Sequence, residues 1–275
     1  MTATPQLTFH DGRSMPQLGF GVWKVPNDEA ASVVGEAIRV GYRSIDTAAI
    51  YRNEEGVGAA IREAGVPQDD LFITTKLYNN DQGYDETLRA FDASLEKLGL
   101  ESVDLYLIHW PCPQRDAYVD TWRAFLKLKE EGRAKSIGVS NFAIPHLERI
   151  IAETGEKPVI NQVELHPHFQ QKPLRDFHAA LGILTESWSP LGRGRLFDND
   201  TLATLARKYG KSAAQVILRW HLDSGLVVIP KSVTPGRIRE NFDVLDFQLD
   251  ADDMGLIAGL DDPNGRVGAE PDAVN

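Results

Sequence analysis

Residues 71–108 read LFITTKLYNNDQGYDETLRAFDASLEKLGLESVDLYLI, and the spacing of their apolar residues changes twice. Leu71-Phe-Ile-Thr-Thr75 is a short run of β-branched and aromatic residues, as strands require. Across 84–98, Leu88, Phe91, Leu95 and Leu98 recur at i, i+3, i+7 and i+10, which gathers them on one face of an α-helix. Residues 103–108 return to a strand. Strand, helix, strand is the repeating unit of a parallel sheet, whose strands need a crossover of a dozen or more residues between them.

The unit recurs on both sides. Toward the N-terminus the spacing predicts strands at 18–22 and 42–46 and helices at 28–40 and 54–64, with Gly41 ending the first helix. Toward the C-terminus it predicts strands at 136–139, 159–165, 183–188 and 226–229. The helices there fall at 118–131, 144–154, 172–181, 202–209, 212–222, 237–245 and 251–260. Asp11-Gly12 between short apolar stretches predicts a hairpin ahead of them all. Eight strands alternating with helices and no Gly/Pro/Ser-rich linker predict one domain over 1–275, a (β/α)8 TIM barrel. An open doubly wound sheet shares the alternation, but the count favours the barrel.

Composition narrows the partners. Hydrophobic residues make up 42% of the 275, enough for a full core, which excludes wholesale disorder. With 29 basic against 40 acidic residues the formal charge is −11, the wrong sign for a general nucleic-acid or anionic-membrane binder. No apolar run approaches the ~20 residues that span a bilayer, and Met1-Thr-Ala-Thr-Pro lacks the basic-then-apolar form of a secretory leader. Cys112 is the single cysteine, so no intrachain disulfide or Cys-rich metal site can form, and a cytoplasmic location is expected. Gly19-Phe-Gly21 begins a dinucleotide fingerprint, but Lys24 stands where its third glycine belongs; Walker A, HExxH and GxSxG are missing too.

A barrel carries its chemistry where the strands end. Four ends hold unusual residues: Asp46 and, a few residues on, Tyr51; Lys76; His109-Trp110; Ser140-Asn141. Singly each has a plainer reading: Asp46 caps the next loop, Lys76 is solvated, His109 is a satisfied core histidine. Together they make an acid site. A carbonyl under reduction gathers negative charge on oxygen and needs a proton. A free tyrosine, pKa about 10, is a poor neutral-pH acid, and a lysine ammonium beside it favours the phenolate and lowers that value. Asp46 would hold the lysine charged, and a neutral His109 would direct the substrate oxygen.

Here the chain resembles a known family. Gly41-Tyr-Arg-Ser-Ile-Asp46-Thr-Ala-Ala-Ile-Tyr51-Arg-Asn-Glu54-Glu-Gly-Val-Gly58 is similar to the first signature of the aldo-keto reductases. Lys76-Leu, Leu105-Tyr-Leu-Ile-His109-Trp-Pro111, Ile137-Gly-Val-Ser140-Asn141-Phe, Asn161-Gln162-Val-Glu164 and Ile229-Pro-Lys231-Ser232-Val233 follow in family order. The likeness runs from Gly19 to about Asp262 and is strongest to the short bacterial branch near 2,5-diketo-D-gluconate reductase. It implies a catalytic tetrad of Tyr51, the general acid, with Asp46, Lys76 and His109, and no metal. It also implies NADPH bound in extended form before the carbonyl. The nicotinamide amide would meet Ser140, Asn141 and Gln162, and its ring would stack on Trp188, where tyrosine is commoner. Ser189, Leu191 and Gly192 would face the pyrophosphate. Lys231, Ser232, Val233 and Arg237 would take the 2′-phosphate end, and Glu240 and Asn241 the adenine. Arg193 and Arg195 either steer the anionic cofactor or are plain loop residues.

The resemblance places Trp23, Ile50, Tyr78 and Trp110 around the substrate, though tryptophans also serve as core packing. A short loop at 111–117 leaves the pocket open, which suits small aldehydes, α-dicarbonyls and compact ketones. The tail from Asp261 to Asn275 either frays or covers the pocket, with Arg266 as a contact for a keto-acid carboxylate. A monomer is implied. Two other classes share these residues: a non-catalytic NADPH-binding regulator on the same barrel, and a lyase using Lys76 as a Schiff-base nucleophile.

Overall fold

The computed structural model describes residues 4–275. A hairpin of β1 (Gln6–Thr8) and β2 (Ser14–Pro16) precedes β3 (Phe20–Gly21), α1 (Asn27–Val40), β4 (Ser44–Asp46) and α2 (Glu54–Glu63). Then come β5 (Phe72–Leu77), α3 (Tyr84–Leu98), β6 (Val103–Ile108), α4 (Tyr118–Glu130), β7 (Ala134–Ser140) and α5 (Ile144–Thr154). The chain continues through β8 (Ile160–Glu164), α6 (Lys172–Leu181), β9 (Leu184–Trp188), α7 (Asp200–Tyr209) and α8 (Ala213–Asp223). It ends with β10 (Val227–Val228), α9 (Pro235–Phe242), α10 (Ala251–Ala258) and a tail.

Strands β3 to β10 pair in parallel in sequence order. A parallel bridge between Leu18 and Val228 joins the last strand to the first, so the sheet closes into the expected barrel. The two strands at this seam are shorter than the sequence predicts at 18–22 and 226–229. Three backbone bonds cross the seam: Val228 N–H to Gln17 O at 2.9 Å, Gly19 N–H to Val228 O at 2.9 Å and Gly21 N–H to Pro230 O at 3.1 Å. Pro230 has no N–H to return, and the ladder stops there.

The barrel interior is graded from apolar to polar. At the N-terminal end, Phe9 and Met15 of the hairpin pack with Phe72, Leu105, Leu107, Ile160 and Val227, so the hairpin is the barrel floor. A second, larger apolar cluster lies between strands and helices and includes Ile45, Ile73, Tyr106, Trp122, Phe125 and Ile217. α2 and α3 approach so closely that a Cβ on Gly58 would lie 2.3 Å from Leu98 O, which forbids any side chain there. At the opposite end the buried interior residues are polar: Asp46, Lys76, Gln162 and Glu186. α9 begins at Pro235, two residues before the expected start, with proline in the first turn where its missing N–H costs nothing.

Candidate active site

Asp46 is the last residue of β4, Lys76 lies in β5, and His109 follows β6. Parallel pairing of β4, β5 and β6 therefore brings all three to one end of the barrel. A 3₁₀ turn, Ala49–Tyr51, folds the chain back after β4 and returns the tyrosine to the same place. Lys76 is wholly buried; its Nζ donates to Asp46 Oδ1 at 2.5 Å and to Thr47 O at 2.9 Å. The same nitrogen lies 5.1 Å from the centre of the Tyr51 ring, and the Tyr51 and His109 rings meet edge to face at 5.7 Å.

Burial pulls the lysine down, but the Asp46 carboxylate, with Tyr51 and Glu186, outweighs it and holds the ammonium above its ordinary value. Burial, aided by the Lys76 charge, depresses His109 to about 3, so the imidazole is neutral, and its Nδ1 has no partner among the described residues. Tyr51 departs from expectation. Burial raises the phenol above its ordinary value of 10.0 and Asp46 adds to this; Lys76 opposes them without prevailing. An acid need only be stronger than the conjugate acid of the base it serves. An alkoxide is a far stronger base than a phenolate, so a phenol that keeps its proton at rest is still acid enough to protonate one.

Around the tetrad is a layer of amides. Asn141, at φ 63° just past β7, donates to His109 O at 2.9 Å and accepts from Trp188 Nε1 at 2.8 Å. Ser140 Oγ donates to Gln162 O at 2.8 Å. Gln162 Nε2 donates to Asp46 Oδ2 at 2.8 Å and to Glu186 Oε2 at 3.0 Å.

Above these groups opens a cavity of about 390 Å³ whose lining includes Trp23, Ile50, Tyr51, Tyr78, His109 and Trp110. Ser140, Asn141, Gln162 and Trp188 also face it. Trp23, Ser189, Pro190, Arg193 and Lys231 are shared with a second cavity that runs on past Leu191, Ser232, Arg237, Glu240 and Asn241. The two make one trough from the tetrad to the N-terminal end of α9. Arg193 lies over the Trp23 ring at 5.2 Å and lines both parts, whereas Arg195 lines neither. Gly192 is buried in the turn beneath, at φ 56°, and Val233 is exposed outside the trough.

The tail is tied down. Glu164 Oε1 accepts from the Val267 N–H at 2.5 Å and Oε2 from the Gly268 N–H at 2.7 Å, with His166 Nε2 3.2 Å from Oε1. Gly268 and Ala269 thereby become part of the wall of the first cavity. Arg266 does not reach that cavity: it pairs with Glu270 at 2.8 Å and lies over Phe169, beside a neighbouring groove.

Sequence reasoning passed over Glu186 and the tie made by Glu164. The signal for the first was present: a glutamate in the middle of Ile183-Leu-Thr-Glu-Ser-Trp188, otherwise a buried strand. The second joins residues a hundred positions apart and leaves no local mark.

The chain matches the Aldo/keto reductase family over residues 17–262. It is 55% identical over 268 residues to the methylglyoxal reductase DkgA of Escherichia coli K12, covering 97% of this chain and 96% of that one. It is 52% identical over 272 residues to an aldo-keto reductase of Mycolicibacterium smegmatis, covering 99% and 98%. The crystal structure of a Gox0644 variant in complex with NADPH superposes with a TM-score of 0.96 over the whole of both chains, at 52% identity. Barrel, tetrad and trough stand together on a chain that belongs to the aldo/keto reductase family.

Proposed function

We propose that this protein reduces small aldehydes, ketones and α-dicarbonyls with NADPH, Tyr51 acting as general acid. The observation that carries the reading is the buried Lys76–Asp46 pair set behind Tyr51, with an uncharged His109 at its edge.

The trough fits NADPH in its donors. Arg193, Lys231 and Arg237 put three cations along it; its two acidic side chains are Asp46, already paired with Lys76 at the inner end, and Glu240 at the far end. Ser232 and Arg237, at the N-terminal end of α9, suit a 2′-phosphate. At the inner end, Trp188 offers an indole face, and Ser140, Asn141 and Gln162 offer amide and hydroxyl groups to the nicotinamide amide. Bound there, NADPH supplies the hydride.

The protein residues manage the oxygen. His109, neutral, orients the carbonyl by hydrogen bonding, and the Tyr51 O–H stands ready beside it. As carbon accepts the hydride, oxygen takes the Tyr51 proton. The resulting phenolate is held by the Lys76 ammonium, whose charge Asp46 maintains. Trp23, Trp110, Tyr78 and Ile50 exclude water around the reacting carbon without adding charge.

The aromatic wall favours compact neutral carbonyls, and the relatives named for methylglyoxal reduction support an α-dicarbonyl. Keto acids of the 2,5-diketo-D-gluconate kind have less support, because Arg266 lies outside the cavity. The ammonium state of Lys76 speaks against a Schiff-base lyase. The complete acid site speaks against a purely regulatory role. The test is the rate of NADPH oxidation with methylglyoxal, phenylglyoxal and 2,5-diketo-D-gluconate, with Tyr51→Phe as control. Loss of nearly all turnover in the variant, with NADPH still bound, is expected; retained turnover sinks the assignment of the acid.

A further inference from the structure

Glu186 is buried at the centre of the polar end of the barrel, and the proton transfer above makes no use of it. β9 places it directly opposite Gln162 in the parallel ladder. Gln162 Nε2 has two hydrogens and both are engaged, one by Asp46 Oδ2 at 2.8 Å and one by Glu186 Oε2 at 3.0 Å. The orientation of an amide is settled by its network: the Asp46 carboxylate can only accept and so selects the nitrogen, and Glu186 Oε2 takes the second N–H, which turns the amide oxygen away. Gln162 lines the cavity, and its Oε1 has no hydrogen-bond partner among the described residues.

We propose that Glu186 is a positioning residue: with Asp46 it grips the Gln162 amide from below and so presents Gln162 Oε1 to the cavity as the acceptor for the nicotinamide amide N–H. The other two groups at this place are already committed. Asn141 spends Nδ2 on His109 O and Ser140 Oγ and one face of Oδ1 on Trp188; Ser140 spends its proton on Gln162 O. Gln162 Oε1 is the uncommitted acceptor. Were the amide free to rotate, it would present N–H to N–H half of the time.

The chemistry of the pocket is consistent with a grip that adds no charge. Burial, with Asp46 nearby, pushes the Glu186 carboxyl up to about 8, against the Gln162 hydrogen bond and Lys76. At neutral pH it is largely protonated, leaving Oε2 to accept and leaving Asp46 as the single counter-charge to Lys76. The cost is visible in Glu186 Oε1, buried without a partner among the described residues. A buried oxygen kept at such a cost in a barrel core marks a group retained for something other than stability.

The proposal rests on the NADPH reading, and the experiment separates the two. The probes are NADPH and 2′-phospho-ADP-ribose, which has the adenosine and pyrophosphate but no nicotinamide. Both would be titrated by quenching of tryptophan fluorescence against wild type, Glu186→Gln and Glu186→Leu, with thermal melts alongside. Glu186→Gln keeps an acceptor for Gln162 and should bind both probes as wild type does. Glu186→Leu should weaken NADPH by about three- to tenfold, the value of one hydrogen bond, and leave the fragment unchanged. Its melting temperature should change little, since an orphaned oxygen is removed while one Gln162 N–H loses its acceptor. Equal NADPH affinity in the leucine variant, or equal loss with both probes, overturns the positioning role. If Glu186→Leu does not fold, weakened NADPH binding by Glu186→Gln overturns it. Failure of wild type to bind NADPH overturns the cofactor reading instead.

Discussion

Replacing Glu164 with glutamine should free the tail from the cavity wall. The carboxylate is buried and holds two backbone N–H groups, those of Val267 and Gly268, one on each oxygen. In Glu164→Gln one of those oxygens becomes an NH₂ that faces an N–H, so one bond is lost outright and the other is no longer charge-assisted. Bonds of this kind are each worth about 1.5–3 kcal/mol. A net loss of about 2–3 kcal/mol shifts the ratio of docked to undocked tail by about 30- to 150-fold. Hydrogen exchange at Val267 and Gly268 should accelerate by that factor while α10 is unaffected. Since Gly268 and Ala269 line the cavity, KM for a small dicarbonyl should rise as the wall loosens, with less effect on a bulky aryl ketone. The sign with pH follows from the bonds. Burial alone would raise the Glu164 pKa, but His166 and the two N–H groups reverse this and hold it below its ordinary 4.5. The tie is therefore fully present above pH 4.5 and is lost as pH falls through the lower, folded-state value. Unchanged exchange at the two amides in the variant would refute the account.

Three further outcomes follow from the site. Asp46→Asn leaves Lys76 buried without its counter-charge and should cost about 3–5 kcal/mol in urea unfolding; adding Lys76→Met should recover most of that loss, and a failure to recover would mean that the pair is not the cause. Lys231→Ala and Arg237→Ala should each weaken NADPH about tenfold, flatten its salt dependence and spare NADH; equal losses with both nucleotides would place the 2′-phosphate elsewhere. Because His109 is held down to about 3, carbonyl reduction should show no inflection near pH 6.5, where an ordinary histidine titrates; an inflection there that His109→Gln removes would contradict the neutral, buried ring.

The architecture was legible because each helix and strand carries its own period. Leu88, Phe91, Leu95 and Leu98 announced α3 to the residue, and β6 was equally plain. The tetrad was legible because charged residues at the ends of apolar runs are out of place: Lys76 after Phe72-Ile-Thr-Thr75, His109 after Leu105-Tyr-Leu-Ile108. What escaped was set by contacts between distant segments. The seam strands shrank because of Pro230, a partner some two hundred residues from Gly21. The pKa of Tyr51 was misjudged because sequence gives the neighbouring lysine but not the depth of burial. Glu164 and its tail partners have no periodicity in common.

The seam between β3 and β10 has one consequence for the order of events in the cell. Gln17 Nε2 bonds to Leu226 O across a separation of 209 residues. The barrel therefore stays an open arc until nearly the whole chain has left the ribosome, and its first and last staves are its slightest. The trough straddles this join: Trp23 comes from the beginning of the chain and Lys231 from the end, and both line the same space. A nucleotide lying there would act as a stitch, drawing the two ends of the polypeptide together and slowing their parting. Cofactor supply would then govern the lifetime of the folded enzyme as well as its turnover, by the mass-action stabilisation that any ligand of the native state confers.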